Sequence, residues 1–126
     1  MNKVYSVPIE IYEHTFHCIV SPDPEFVKKS FVKLGWGVRL SSGDIEKIRS
    51  SKGGLCWYGP QSQTLMWVGG KPNTPYRRSA LIHECVHACV QLLCLRGIPI
   101  NSQCDEPLAF LLDFAYLKFD EQMKVK

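Results

Sequence analysis

A chain of 126 residues that is 45% hydrophobic and 21% charged has the balance of one folded domain with its own core, spanning residues 1–126. Its net charge of +3, with Lys28-Lys29 and Arg77-Arg78 as the nearest basic clusters, gives no basis for a nucleic-acid partner. Cys18, Cys56, Cys85, Cys89, Cys94 and Cys104 could by number form a disulfide scaffold, but Cys85, Cys89 and Cys94 fall in one apolar, helical run where free thiols behave as small hydrophobes. The first ten residues lack an apolar stretch of signal-peptide length, and no apolar run is long enough to span a membrane. The expectation is reduced thiols in a cytoplasm.

Ile9-Glu10-Ile11-Tyr12 and Phe16-His17-Cys18-Ile19-Val20 are rich in β-branched and aromatic residues and read as one long strand or a hairpin. Asp23 then caps a helix with Pro24 in its first position. Phe26, Val27, Leu34 and the Phe31-Val32 pair recur at helical spacing, and Gly35 is the stop. Residues 35–40 suggest an extended segment and Asp44 to Arg49 a short helix. Leu55-Cys56-Trp57-Tyr58 and Thr64-Leu65-Met66-Trp67-Val68 read as a hairpin punctuated by Gly53-Gly54 and Gly69-Gly70.

Thr74 as cap and Pro75 as first residue open a long helix that should run to about Arg96, before Gly97 and Pro99. Its middle is apolar nearly all round, which places it in the interior. A last helix begins near Ser102 to Pro107, with either Ser102 or Asp105 as cap. Leu108, Leu111, Leu112, Ala115 and Phe119 form its apolar stripe, widened by Phe110, Phe114, Tyr116 and Leu117, and the charged tail beyond Phe119 should fray.

The long helix carries His83-Glu84-Cys85-Val86-His87. Residues four apart share a helix face, so His83 and His87 can present two imidazoles to one Zn²⁺, with Glu84 beside them as a general base for a metal-activated water. The competing account is two buried histidines satisfied by backbone or carboxylate partners. Apolar surroundings make that costly unless the three side chains face a polar cleft or a metal. A catalytic zinc usually takes a third protein ligand. A third histidine six residues after His87 is absent, since that position is Leu93, and Val90 stands where the associated glycine would be. Glu106, 19 residues after His87 on the next helix, is the candidate, with Asp105 and Asp113 as alternatives.

On His83, Glu84, His87 and Glu106 the chain resembles the gluzincin side of the zincin metallopeptidases, and it is similar to small single-domain zincin-like proteins of bacteriophages. The resemblance covers about Thr64 to Phe119. It implies an α+β fold in which a small mixed or antiparallel sheet packs on the motif helix and a following Glu-bearing helix, with Zn²⁺ held by His83, His87 and Glu106. It departs from the family at Phe110, where a supporting Asp is usual, and Asp113 could instead fix a ligand imidazole. The implied activity is zinc-dependent hydrolysis of a peptide or protein substrate, in a host cytoplasm if the chain is phage-encoded. The alternative is a non-catalytic zinc module that binds a protein partner. Tyr76, Tyr116, Arg77, His14 and His17 are candidate oxyanion donors, though the two histidines read more readily as ordinary strand residues. The resemblance also implies a substrate-pairing strand beside the motif helix, for which Thr64 to Val68 is the candidate unless another strand covers it. Cys85 and Cys89 point about 200° away from His83 and cannot share its metal, though with Cys104 they could hold a structural zinc.

Overall fold

The computed structural model describes residues 1–36, 40–59 and 62–124. The first strand, β1 (Lys3–Ile9), buries Tyr5, Val7 and Ile9 and turns the residues between them outward, the period of two expected of a strand with one covered face. It lies before the segment read from sequence as strand. Glu10–Tyr12 is instead a turn of 3-10 helix closed by Glu13 at φ 50. Glu13 leads into β2 (His14–Val20), paired antiparallel with β1.

The cap expected for the first helix forms as read. Asp23 accepts from the Glu25 backbone N–H at 3.0 Å and opens α1 (Pro24–Lys33), and Gly35 follows at φ 79. In α2 (Ser42–Ser50), Ser41 and Asp44 form a reciprocal capping box. Of the extended segment expected over 35–40, residues 37–39 lie outside the described residues. The hairpin forms as read, from β3 (Gly54–Tyr58) and β4 (Gln63–Val68).

The sheet order is β1-β2-β4-β3, with β2 and β4 parallel and the outer pairs antiparallel. β2 and β4 are buried along almost their whole length because helices cover both faces. Ile19, Leu65 and Trp67 point to the face covered by α1 and α2, where Phe31 meets Trp57 edge to face at 4.9 Å between centroids. Phe16, Cys18, Met66 and Val68 point to the other face, covered by α3 (Pro75–Leu95) and α4 (Glu106–Met123). The chain is therefore α+β, with a four-stranded mixed sheet and four α-helices among the described residues.

Two placements matter for the site. α3 packs over β3 and β4, and α4 packs over β1, so they lie side by side across the sheet. α4 does not fray after Phe119: it continues to Met123, which is buried against the core.

Candidate functional site

Thr74 accepts from the Arg77 backbone N–H at 3.2 Å and Pro75 opens α3, which sets the phase of everything downstream. That phase buries Ala80, Leu81, Cys85, Ala88 and Cys89 in the core and leaves His83 and His87 exposed on the outer flank. Glu84 lies between the two faces and is 4% exposed. The helix is thus less interior than its composition suggests. Its polar motif residues border a small cleft of about 240 Å³ between α3 and β3, lined also by Lys47, Gly54, Leu55, Cys56 and Tyr58.

The first turn of α3 holds β3 in position. The Tyr76 hydroxyl accepts from the Gly53 N–H at 2.6 Å, and Arg77 donates to the Ser51 carbonyl at 2.8 Å. At its far end, the Tyr58 hydroxyl donates to the His87 carbonyl at 3.4 Å. Between these ties Gly54 lies directly over Glu84. A Cβ at residue 54 would fall 2.6 Å from Glu84 Cγ and 2.7 Å from Oε2, so the strand and the carboxyl approach this closely only because residue 54 has no side chain.

The two imidazoles meet edge to face, with Nε2 of His83 and Nε2 of His87 3.1 Å apart. Two zinc–nitrogen bonds of about 2.0–2.1 Å at a tetrahedral angle place their nitrogens roughly 3.3 Å apart, so this spacing suits two ligands of one ion. Glu84 is held above its usual carboxylate range by burial, an effect partly offset by His83, His87 and Lys47. Burial likewise pushes the Cys56 thiol up to about 12, which keeps it neutral beside the cleft.

Glu106 is not brought to this cleft. It is exposed in the first turn of α4, lining a separate cavity against β1 and the 3-10 turn, because α4 packs on the side of α3 opposite β3. Asp105 and Asp113 are exposed on the same helix system. Among the described residues no three His, Cys, Asp or Glu side chains converge as a metal-binding group, the set Cys85, Cys89 and Cys104 included. Cys85 and Cys89 are buried in the core while Cys104 is exposed.

None of the oxyanion donors expected from sequence lines the cleft. Tyr76 and Arg77 are engaged in holding residues 51–53, and Tyr116 packs against the core. His14 and His17 are buried strand residues. His14 Nε2 pairs with Thr64 Oγ1 at 2.8 Å and His17 Nδ1 with Ser6 Oγ at 2.7 Å, while His14 Nδ1 and His17 Nε2 find no partner among the described residues. Burial depresses both, His14 to about 4, which keeps the rings neutral.

The strand expected to pair with substrate is also placed differently. Thr64 to Val68 lies between β2 and β3 with both edges occupied, and the edge left open among the described residues beside the motif helix belongs to β3. The signal for β3 was the Gly53-Gly54 pair. No sequence feature pointed to Lys47, which reaches the cleft from α2 around the end of the sheet.

No helix of the described residues is long and apolar enough to cross a membrane. Comparison with protein-family models, with curated proteins and with solved structures finds no match to this chain.

Proposed function

We propose that the cleft between α3 and β3 is the active site of a zinc-dependent peptide hydrolase, with His83 and His87 as metal ligands and Glu84 as general base. The observation that carries this reading is the pair of imidazole nitrogens 3.1 Å apart with the Glu84 carboxyl beside them in one polar cleft. Zinc held there would supply Lewis-acid activation of a water and polarisation of the scissile carbonyl. Glu84 takes a proton from the attacking water as the carbon–oxygen bond forms, and delivers it to the amine nitrogen as the carbon–nitrogen bond breaks. A carboxyl raised by burial is the better matched to both halves of that transfer near neutral pH.

Gly54 lets the base sit against the strand, and among the described residues β3 is paired on one side only. An extended peptide added along its free edge would run past Glu84 and both imidazoles, with main-chain hydrogen bonds setting its register. Lys47 supplies a positive charge at the same cleft, suited to a developing oxyanion or a substrate carboxylate. Glu106 lines the separate groove beside β1 and not this cleft, so His83 and His87 are the residues that would hold the ion here.

The test compares zinc-loaded wild type with Glu84→Gln on a peptide library read by mass spectrometry. Loss of a general base costs on the order of 10²–10⁴ in rate. Cleavage by wild type with a drop of that size in Glu84→Gln supports the reading. Equal turnover by the two proteins refutes the role of Glu84, and no cleavage by either leaves a non-catalytic metal module in place of the enzyme.

A further inference from the structure

The feature left unused by the α3–β3 cleft is the exposed flank of α4. Phe110 is 70% exposed, Phe114 43% and Leu117 61%, and Ile11 on the neighbouring 3-10 turn is 83% exposed. Ile11, Phe110 and Phe114, together with Val7 and Ile9, border an apolar groove of about 930 Å³ between α4 and β1. An exposed apolar patch rimmed by charge is the ordinary mark of an interaction surface.

The order of residues on this flank identifies the partner. Glu106, Phe110, Phe114 and Lys118 are spaced four apart and form one continuous ridge along α4, all four lining the groove. Read along the helix the ridge is acid, aromatic, aromatic, base. It is symmetric in its apolar members and opposite in charge at its two ends, about the level of Leu112. The two ends are about 18 Å apart along the axis. Two copies related by a two-fold axis at that level run antiparallel, with Phe110 beside Phe114 of the partner subunit and Glu106 beside Lys118 of the partner subunit, twice over. A parallel pairing would instead set like charges together at both ends.

The commonest class of helix packing, which crosses at about −50°, aligns such ridges with each other. Lys118 already lies 5.9 Å from the centroid of its own Phe114 ring, so its ammonium is held over the aromatic pair where the incoming carboxylate would arrive. Among the described residues neither Glu106 nor Lys118 makes an ion pair within the chain, so both charges are available to a partner. We infer that the chain forms an isologous homodimer through the antiparallel pairing of its α4 ridges, in which Glu106 and Lys118 select the orientation and Phe110 and Phe114 fill the two grooves. The inference stands apart from the metal reading, because its readout is association and not zinc or turnover.

A charge-swap series tests it by sedimentation velocity of the full chain over a concentration series reaching hundreds of micromolar. Wild type should show a reversible dimer. Glu106→Lys and Lys118→Glu should each weaken it by at least about tenfold, since each turns two attractive contacts into two repulsive ones. The double variant E106K/K118E restores both pairs with reversed sign and should return to within about threefold of wild type. Phe110→Glu should dissociate the dimer by about a hundredfold or more. All three substituted positions are exposed at the surface, and circular dichroism verifies that each variant keeps its helices. A wild type that stays monomeric throughout overturns the inference, as do single variants that associate like wild type, or a double variant as weak as the singles.

Discussion

Replacing Gly54 by alanine puts a methyl group 2.6 Å from Glu84 Cγ, 2.9 Å from Cδ and 2.7 Å from Oε2, all well inside the 3.4 Å at which ordinary contact begins. Because Cγ is itself in the clash, rotating the carboxylate alone does not relieve it. Either β3 lifts or the whole Glu84 side chain leaves its position. Overpacking of this kind costs about 1–3 kcal/mol. With Glu84 truncated to alanine the obstruction is gone. The backbone at residue 54 is not in the left-handed region. The same Gly54→Ala change should then be neutral or stabilise by up to about 1 kcal/mol, through the lower entropy of the unfolded chain. The coupling energy in the cycle of wild type, Gly54→Ala, Glu84→Ala and the double variant is therefore about 1–4 kcal/mol. Urea denaturation of the metal-free proteins, followed by tryptophan fluorescence, measures it. A coupling below about 0.5 kcal/mol, within the range of independent sites, would refute the placement of Glu84 beneath β3 and with it the geometry of the cleft.

Two further outcomes follow from buried groups. His14 is depressed in the folded state to about 4 from an ordinary value of 6.5, so the unfolded chain takes up its proton first as pH falls. The stability this protects is fully present above pH 6.5 and is lost between there and about pH 4, up to about 3 kcal/mol. Urea midpoints across that range should fall in wild type and fall less in His14→Gln. A variant with the wild-type slope would show that the ring is not held neutral. Among the thiols, Cys94 and Cys104 are exposed whereas Cys18, Cys85 and Cys89 are buried and raised by desolvation. A thiol reagent should modify two cysteines rapidly and the buried three only on unfolding. Rapid reaction of Cys85 or Cys89 would mean that α3 does not pack as described.

What the sequence revealed and what it hid divide along the range of the interactions. Asp23-Pro24 and Thr74-Pro75 announce helix starts because capping is settled within a few residues, and Gly35 and Gly97 mark the ends by accepting φ values of 79 and 70. The motif was legible for the same reason, since helical spacing alone puts His83 beside His87. β1 was misplaced because an edge strand needs only one apolar face: Ser6 and Pro8 interrupt the run on the outer side, while Tyr5, Val7 and Ile9 do the burying. Strand order was not legible. The parallel pairing of β2 with β4 depends on contacts across some fifty residues, and it is what encloses Thr64 to Val68 and leaves β3 as the edge. The side of α3 on which α4 packs is equally non-local. The turn before Glu106 permits a return on either flank, and the stripe of Leu111, Ala115, Phe119 and Met123 is buried against the core shared with β1.

The most direct test of the proposed site is zinc binding itself, measured by competition with a chromophoric chelator for wild type, His83→Ala, His87→Ala and Glu106→Ala. The account predicts one zinc per chain in wild type. Loss of either imidazole should cost at least about tenfold in affinity, whereas Glu106→Ala should stay within about twofold. Zinc binding that survives loss of either histidine, or that collapses on loss of Glu106, would contradict a metal site built between α3 and β3.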